Sequence, residues 1–465
     1  MKLLNNRLRR AGLGLLAAGS LLAVGTNALA QTPFGELDRS EPASISFSAS
    51  ERNAPIQAGG DVAISGEGFN PGQQVTLLYG TTPLVGAPLV ADGEGKVSGT
   101  LAIPADAVSG IHPVLVVAQA PYFATVSDLK VSPTVPLAGA EKFEITRGEA
   151  TRGLYQSAYS EANDVLFVAS AIGRPPVRES ELVKLNAQDL SVLARISPQA
   201  VEGQEGVYAV YGLGVDDAKG TVWATNTRQN TVSVYNQSDL SLVKQFPVGT
   251  VNHARDVVVD QELGKAYSSA TGTPDVVVLD TNTLEVAKTI SIQALRRGQS
   301  FSAASLSLDP AAHRLYVAGL STNEVAVIDT RTDEVLNVFP VPGAQGVIGI
   351  SHDPQTGRIY VAAQGTDNLV VLDGGNGAVI ADTPVGAGAL NVAFDPVSRQ
   401  AYVSSRGAGT ITVTDADGRI VANLGPAPLA NHVSLGKDGV VYAVDKSAGV
   451  READSDEVLR IQPRG

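Results

Sequence analysis

Two Asn-His pairs and a scatter of arginines are the residues of this chain best suited to chemistry. Asn252-His253-Ala254-Arg255 and Asn431-His432 occupy equivalent points of a repeated pattern, and Arg152, Arg174, Tyr208, Arg228, Asn391 and Arg406 fall at the same end of that pattern. A guanidinium is a planar fork of donors, so arginines that converge on one space suit a phosphate or a carboxylate. The other reading of these arginines is that they are solvated loop residues neutralised by neighbouring Glu and Asp. Tyr155, Tyr208 and Tyr211 would add faces on which a base could stack.

Histidine, cysteine and methionine bound the alternatives. The five histidines are His112, His253, His313, His352 and His432. Repeat descent accounts for the Asn-His doublet, and a shared metal would require His253 and His432 to reach across a channel. The chain has no Cys, and Met1 is its one Met, so thiolate and thioether ligands for haem or copper are missing. It also lacks a Gly-x-Ser-x-Gly elbow, a His-Glu-x-x-His pair and a phosphate-binding P-loop. No catalytic residue, metal or cofactor is therefore expected. The rival enzyme reading would use Asp256 with Asn252, Asn391 and Asn431 to hold a divalent cation.

The elements that must position these residues repeat along the chain. Residues 315–341 run Leu-Tyr-Val-Ala-Gly-Leu-Ser-Thr-Asn-Glu-Val-Ala-Val-Ile-Asp, then on to Val341, and the pattern returns at 359–385 and 401–424. Its aromatic anchor recurs as Phe167, Trp223, Tyr267, Tyr316, Tyr360, Tyr402 and Tyr442, roughly 40 to 56 residues apart. Alternating Val, Leu and Ile between turn residues are strand signals, and the copy around Tyr316 predicts strands at 304–308, 315–318, 324–329 and 335–339. Asp309-Pro310, Asp353-Pro354 and Asp395-Pro396 predict a turn after each first strand, because Asp accepts from the turn backbone and Pro presets φ.

A unit of this kind buries its apolar face only against copies of itself, which points to an all-β ring of seven blades. The last copy stops after three strands, at 458–461. Residues 143–146 precede the first copy and are expected to supply the missing outer strand, which would protect an open edge.

In such a ring, loops entering the first strands meet loops joining the second and third. That end collects Arg152, Tyr208, Asn252, His253, Arg255, Asn391, Asn431 and His432 from the first set, and Arg174, Arg178, Arg228, Thr271, Arg406 and Lys446 from the second. The other end collects Asp216, Asp217, Asp260, Asp309, Asp353 and Asp395. The expected site is thus a basic funnel at one end of an acidic ring.

The Tyr-Val-x-x-x-x-x-x-Asn-x-Val-x-Val-Ile-Asp run resembles the YVTN repeat of surface-layer-like β-propellers, and residues 142–465 resemble the YncE-type periplasmic propellers of Gram-negative bacteria. The resemblance implies a seven-bladed β-propeller. It also makes single-stranded DNA a thinkable ligand and an accessory role in iron or metal-complex uptake a thinkable function.

Residues 44–133 read differently. Strand-like runs at 45–48, 62–66, 74–79, 97–103, 114–119 and 125–131 are separated by turn signals such as Asn70-Pro71-Gly72, a spacing that suggests a β-sandwich. Gly66-Glu67-Gly68-Phe69-Asn70-Pro71-Gly72 resembles a stretch common in bacterial Ig-like modules. Residues 1–30 have the form of a signal peptide, with Lys2, Arg7, Arg9 and Arg10, an apolar stretch, and Ala28-Leu29-Ala30 before the cleavage point. The expected plan is signal peptide 1–30, flexible lead 31–43, Ig-like β-sandwich 44–133, linker 134–141 and propeller 142–465.

Loss of the four signal cations would take the net charge from −13 to −17. That balance disfavours bulk nucleic-acid or anionic-membrane affinity while leaving room for a local basic patch. An exported, periplasmic or cell-surface binding protein without transmembrane anchoring is expected, with an anionic ligand or an envelope or outer-membrane protein as partner. A metal-dependent lactonase- or lyase-like enzyme and a purely structural surface module are the alternatives.

Overall fold

The computed structural model of the protein describes residues 43–119, 121–448 and 454–464. The expected signal peptide, and all of the expected lead but Ala43, lie outside the described residues. Among those described there is no α-helix, and no helix is long and apolar enough to cross a membrane.

The N-terminal unit is two antiparallel sheets around one core. Strands Ser44–Ala49, Asp61–Glu67 and Val97–Ala102 form the first sheet. Gln74–Tyr79, Gly110–Gln119 and Phe123–Val131 form the second, with the short strands Thr82–Pro83 and Leu89–Val90 attached. Alternation decides which side faces in: Val75 and Leu77 are buried while Gln74 is exposed and Thr76 and Leu78 are half-buried. Val62, Ile64, Val97, Val114, Val116, Leu129 and Val131 complete the shared core. All six strand-like runs expected here are strands; the two short ones carry too few residues to register as alternation.

The remainder forms seven four-stranded antiparallel sheets. Their first strands are Leu154–Ser160, Leu213–Asp216, Ala254–Asp260, Ala303–Asp309, Val347–His352, Ala389–Asp395 and His432–Leu435. Each first strand touches the next, and the last touches the first, so the sheets close into a ring. The final sheet is completed as expected: Phe143–Glu149 pairs with Glu457–Pro463, from Phe143 opposite Pro463 to Glu149 opposite Glu457. The first and last strands of the ring thereby share one sheet, which closes the seam.

Burial explains the composition of each strand. In Glu324–Asp329 every residue is buried, because sheets cover it on both sides. The outer strand Glu334–Pro340 has no buried residue, because one of its edges faces away from the ring. Close approach near the axis requires small residues: a Cβ at Gly212 would lie 2.3 Å from Arg255 O, and one at Gly214 2.6 Å from Val257 O.

The recurrent aromatics join neighbouring sheets. Tyr267 Oη donates to Thr330 O at 3.0 Å, Tyr360 Oη to Ala416 O at 2.9 Å, and Tyr442 Oη to Ala187 O at 2.8 Å. Each bond runs to an outer turn of the following sheet, and the Tyr442 bond crosses the seam. The Asp turns form as expected: Ala312 N–H donates to Asp309 Oδ1 at 3.0 Å, Gln355 N–H to Asp353 Oδ1 at 3.0 Å, and Ser398 N–H to Asp395 Oδ2 at 2.7 Å.

The two units are tied together. Lys130 Nζ lies 2.9 Å from Asp367 Oδ1 and donates to Gln364 O at 3.1 Å. Asn423 Nδ2 donates to Val135 O at 2.8 Å, fixing the connecting segment against the ring.

Candidate anion-binding site

A cavity of about 190 Å³ opens at the axis, at the end where the first strands begin. Three loops between second and third strands reach it: Thr227 and Arg228 from one, Thr271 from the next and Arg406 from a third. The rest of its wall comes from the first strands, and backbone irregularity aims those side chains. The register shifts between Leu154 and Ser157, between Ala254 and Val257, and between Ala389 and Asn391. Tyr155, Gln156, Arg255 and Leu390, all lining the cavity, sit within those shifts. A bulge turns a side chain away from the regular alternation, which is how consecutive residues come to address one axial space.

The polar groups of the wall are largely fixed. Asn431 Nδ2 donates to Tyr155 O at 2.7 Å, leaving its buried Oδ1 without a partner. Asn391 Oδ1 accepts from Val433 N–H at 2.9 Å. His432 Nδ1 accepts from Ser157 N–H at 3.4 Å, which sets the tautomer with hydrogen on Nε2. Burial, and secondarily the charge of Arg255, push His432 down to about 3, so the ring is neutral. His253 is lowered by burial and then by Arg228 and Arg255; its backbone holds φ 46°, and its N–H donates to Asn230 Oδ1 at 2.7 Å.

Asp256 belongs to the wall behind the cavity. Its Oδ2 accepts from Leu306 N–H and its Oδ1 from Val257 N–H, both at 3.0 Å. Burial pushes its carboxyl up, opposed by those bonds and by Arg255. Among the described residues no group of three or more His, Asp or Glu side chains is placed to hold a metal ion.

The cations tell the two ends of the ring apart. At the far end several are neutralised: Lys265 lies 2.8 Å from Asp333, Arg314 2.9 Å from Asp329 and Arg358 2.8 Å from Asp417. Arg399 grips Asp353 with both guanidinium nitrogens; burial works against the Asp353 carboxylate, yet the bonds from Arg399, Thr356 and the Gln355 N–H, with the charge of Arg399, together hold it down to about 2. At the cavity, Arg228, Arg255 and Arg406 have no ion pair among the described residues. Arg255 Nε is buried without a hydrogen-bond partner, and burial lowers its guanidinium from the ordinary value.

A fourth cation stands beside them. Lys446 Nζ sits 3.4 Å above the Tyr155 ring, buried and without a hydrogen-bond partner. Burial brings its ammonium down to about 7; Asp456 works against that shift and Arg406 adds to it. Tyr155 also packs edge-on against Tyr211 at 4.6 Å; burial raises the Tyr211 phenol, and nearby Arg228 works against that shift.

Of the eleven residues singled out from sequence, seven line this one cavity: Arg228, His253, Arg255, Asn391, Arg406, Asn431 and His432. Four do not. Asn252 is exposed beside His253. Arg174 is exposed in the turn that precedes Pro175. Arg152 lines a separate cavity with Arg178, Arg195 and Asp454. Tyr208 is buried, its carbonyl accepting from Asn226 Nδ2 at 3.1 Å. For Arg178 the neutralised-loop reading holds, since it lies 2.9 Å from Glu205. Gln156, Thr227 and Leu390 were missed; their only sequence signal was their place beside the recurrent turns, which does not report a bulge.

No protein-family model matches the chain, and no curated protein matches it in sequence. Solved structures do match in shape. A virginiamycin B lyase from Staphylococcus aureus is similar over 69% of this chain and 100% of its own, at 10% identity and a TM-score of 0.54. Hydrazine synthase of Kuenenia stuttgartiensis matches over 68% and 96%, at 15% identity and a TM-score of 0.56. The structure of U3-55K matches over 70% and 99%, at 13% identity and a TM-score of 0.54. These are β-propeller proteins, some enzymes and some binding proteins, and at such identities the likeness extends to the fold: this chain carries a β-propeller.

Proposed function

We propose that the protein is an exported binding protein, a seven-bladed YncE-like propeller behind an Ig-like module, that takes an anionic group into its axial cavity without transforming it. The observation that carries this reading is the pairing contrast. Lys265, Arg314, Arg358 and Arg399 at the far end each hold an aspartate, whereas Arg228, Arg255 and Arg406 converge on the cavity with no ion pair among the described residues, the buried Asp256 beside Arg255 being taken up by backbone N–H groups. An unneutralised cluster of guanidinium groups is an incomplete electrostatic arrangement, and a phosphate, sulfate or carboxylate completes it. Two neutral histidines and Asn391 and Asn431 supply polar contacts that add no charge. Export to the periplasm or cell surface rests on the basic and apolar start of the sequence.

The cavity volume fits a head group, since a space of about 150 Å³ accommodates a benzene-sized molecule. Sulfate is a suitable probe because its charge is constant near neutrality. Calorimetric titration is expected to give saturable binding that weakens with salt. Arg228→Ala with Arg406→Ala should weaken it by at least tenfold, as each charge-assisted bond is worth about 1.5–3 kcal/mol. Undiminished sulfate binding in the double variant would sink the proposal, as would no binding by the parent.

Catalysis on the bound anion remains the rival, favoured by one observation: His253 lines the cavity as a neutral base. It predicts turnover of an anionic lactone or ester that His253→Gln abolishes. Binding without turnover excludes it for that substrate class.

A further inference from the structure

One arginine of the cavity wall is shared with neighbouring clefts. Arg406 lines the cavity and also lines two clefts between the N-terminal unit and the ring, of about 810 and 660 Å³. The larger cleft is walled on one side by the end of strand Ser44–Ala49 and the loop after it. On the other side stand Gln364, Gly388 and Leu429 of the ring. Its width is held by the Lys130–Asp367 ion pair, in which the carboxylate is almost fully buried.

One further charged residue faces both clefts together with Arg406. Arg52, on the loop that follows the first strand of the N-terminal unit, lines the two of them and is exposed. It has no ion pair among the described residues, although Glu51 is adjacent in the chain and Asp128 lines the same cleft. Two arginines from separate units therefore line the same clefts, and one of them, Arg406, also lines the cavity that holds Arg228 and Arg255. The spacing of cations along a path, rather than in one cluster, matches a ligand whose charges are also spaced along a chain.

We infer that the ligand is a linear polyanion carrying at least two phosphate or carboxylate groups, one held in the cavity by Arg228 and Arg255 and the next passing Arg406 into the cleft toward Arg52. The inference rests on the anion-binding reading of the cavity and adds the length and charge spacing of what binds. The N-terminal unit then contributes a binding residue of its own and is more than a spacer.

The test is a chain-length series at one pH and ionic strength: orthophosphate, pyrophosphate and tripolyphosphate, with acetate and tricarballylate as the carboxylate arm. Each is titrated calorimetrically into the parent protein, Arg52→Ala and Glu51→Gln. Orthophosphate should bind the parent and Arg52→Ala equally. Tripolyphosphate should bind the parent at least tenfold more tightly than orthophosphate, and Arg52→Ala should remove most of that gain. Glu51→Gln should strengthen tripolyphosphate binding, because it removes a like charge from the path. The stronger arm identifies which anion the spacing fits. If orthophosphate binds and Arg52→Ala leaves the tripolyphosphate gain intact, the extended site is wrong while the cavity reading stands. If no anion in either arm binds the parent, both fall together.

Discussion

His432 carries an electrostatic burden that titration can expose. Its ordinary value of 6.5 falls to about 3 in the folded protein. As the pH drops below 6.5 the unfolded chain takes up a proton that the native state refuses, so stability falls with acid through that window. The slope is up to about 1.4 kcal/mol per pH unit for this one group. Urea unfolding between pH 4 and 7 should show a shallower slope in His432→Gln than in the parent. Lys446 works in a higher window. Its ordinary 10.5 falls to about 7, so between those values the unfolded chain holds a proton the native state lacks, and stability rises with pH. Below about pH 7 Lys446 becomes charged beside Arg406, so sulfate affinity should rise as the solution is acidified. Lys446→Met should flatten that dependence, and an equal pH slope in parent and variant would show that Lys446 is not responsible.

At the level of strands and turns, the recurrent aromatic acts as a fastener as well as a core residue. Tyr442 Oη holds Ala187 O across the closing seam at 2.8 Å, whereas Tyr402 Oη bonds Gln400 Oε1 in its own strand at 3.1 Å. Tyr442→Phe leaves a carbonyl of the neighbouring sheet without its donor and should cost about 1 kcal/mol or more. Tyr402→Phe frees only a side chain and should cost less. Thermal or urea denaturation of the two variants compares them directly, and equal losses would mean that the seam bond carries no special weight. The bulges are the second device at this scale. A regular pairing of Ala254–Asp260 would place Arg255 by strict alternation; the shift before Val257 puts Arg255 at the cavity and Asp256 against Leu306 N–H.

For the molecule as a whole, the joint between units decides how far the binding surface extends. Lys130 is about a third exposed while Asp367 is buried, so Lys130→Ala strands a carboxylate that also accepts from Gly388 N–H at 2.7 Å. After allowance for solvent screening of the lysine, the loss should be about 1–2 kcal/mol. X-ray scattering should show an enlarged radius for Lys130→Ala, with tripolyphosphate affinity reduced and orthophosphate affinity kept. An unchanged radius would mean that the Val135–Asn423 contact and the bridge at Ala138 are sufficient to hold the units.

The sequence alone determined the repeating part of this protein. Apolar alternation, the recurrent aromatic and the Asp turns are local signals, and each formed the strand or turn it indicated because a short strand needs only its own residues and a partner of like pattern. The strand across the seam was legible too, since a three-stranded last copy leaves one edge to fill. The cavity was half legible: Arg228 and Arg406 share a repeat position and Arg255 stands where a first strand begins at the same end, so their common end could be inferred. The tertiary structure decided the rest. Arg152, Arg174 and Asn252 share that end yet miss the axis, because a side chain's reach depends on bulges and loop paths that repeat position does not encode. Whether a cation is paired depends on residues far away in the chain, as Lys130 with Asp367 illustrates. Arg52 enters the account through the docking of one unit on the other, a contact between surfaces whose complementarity no local pattern records.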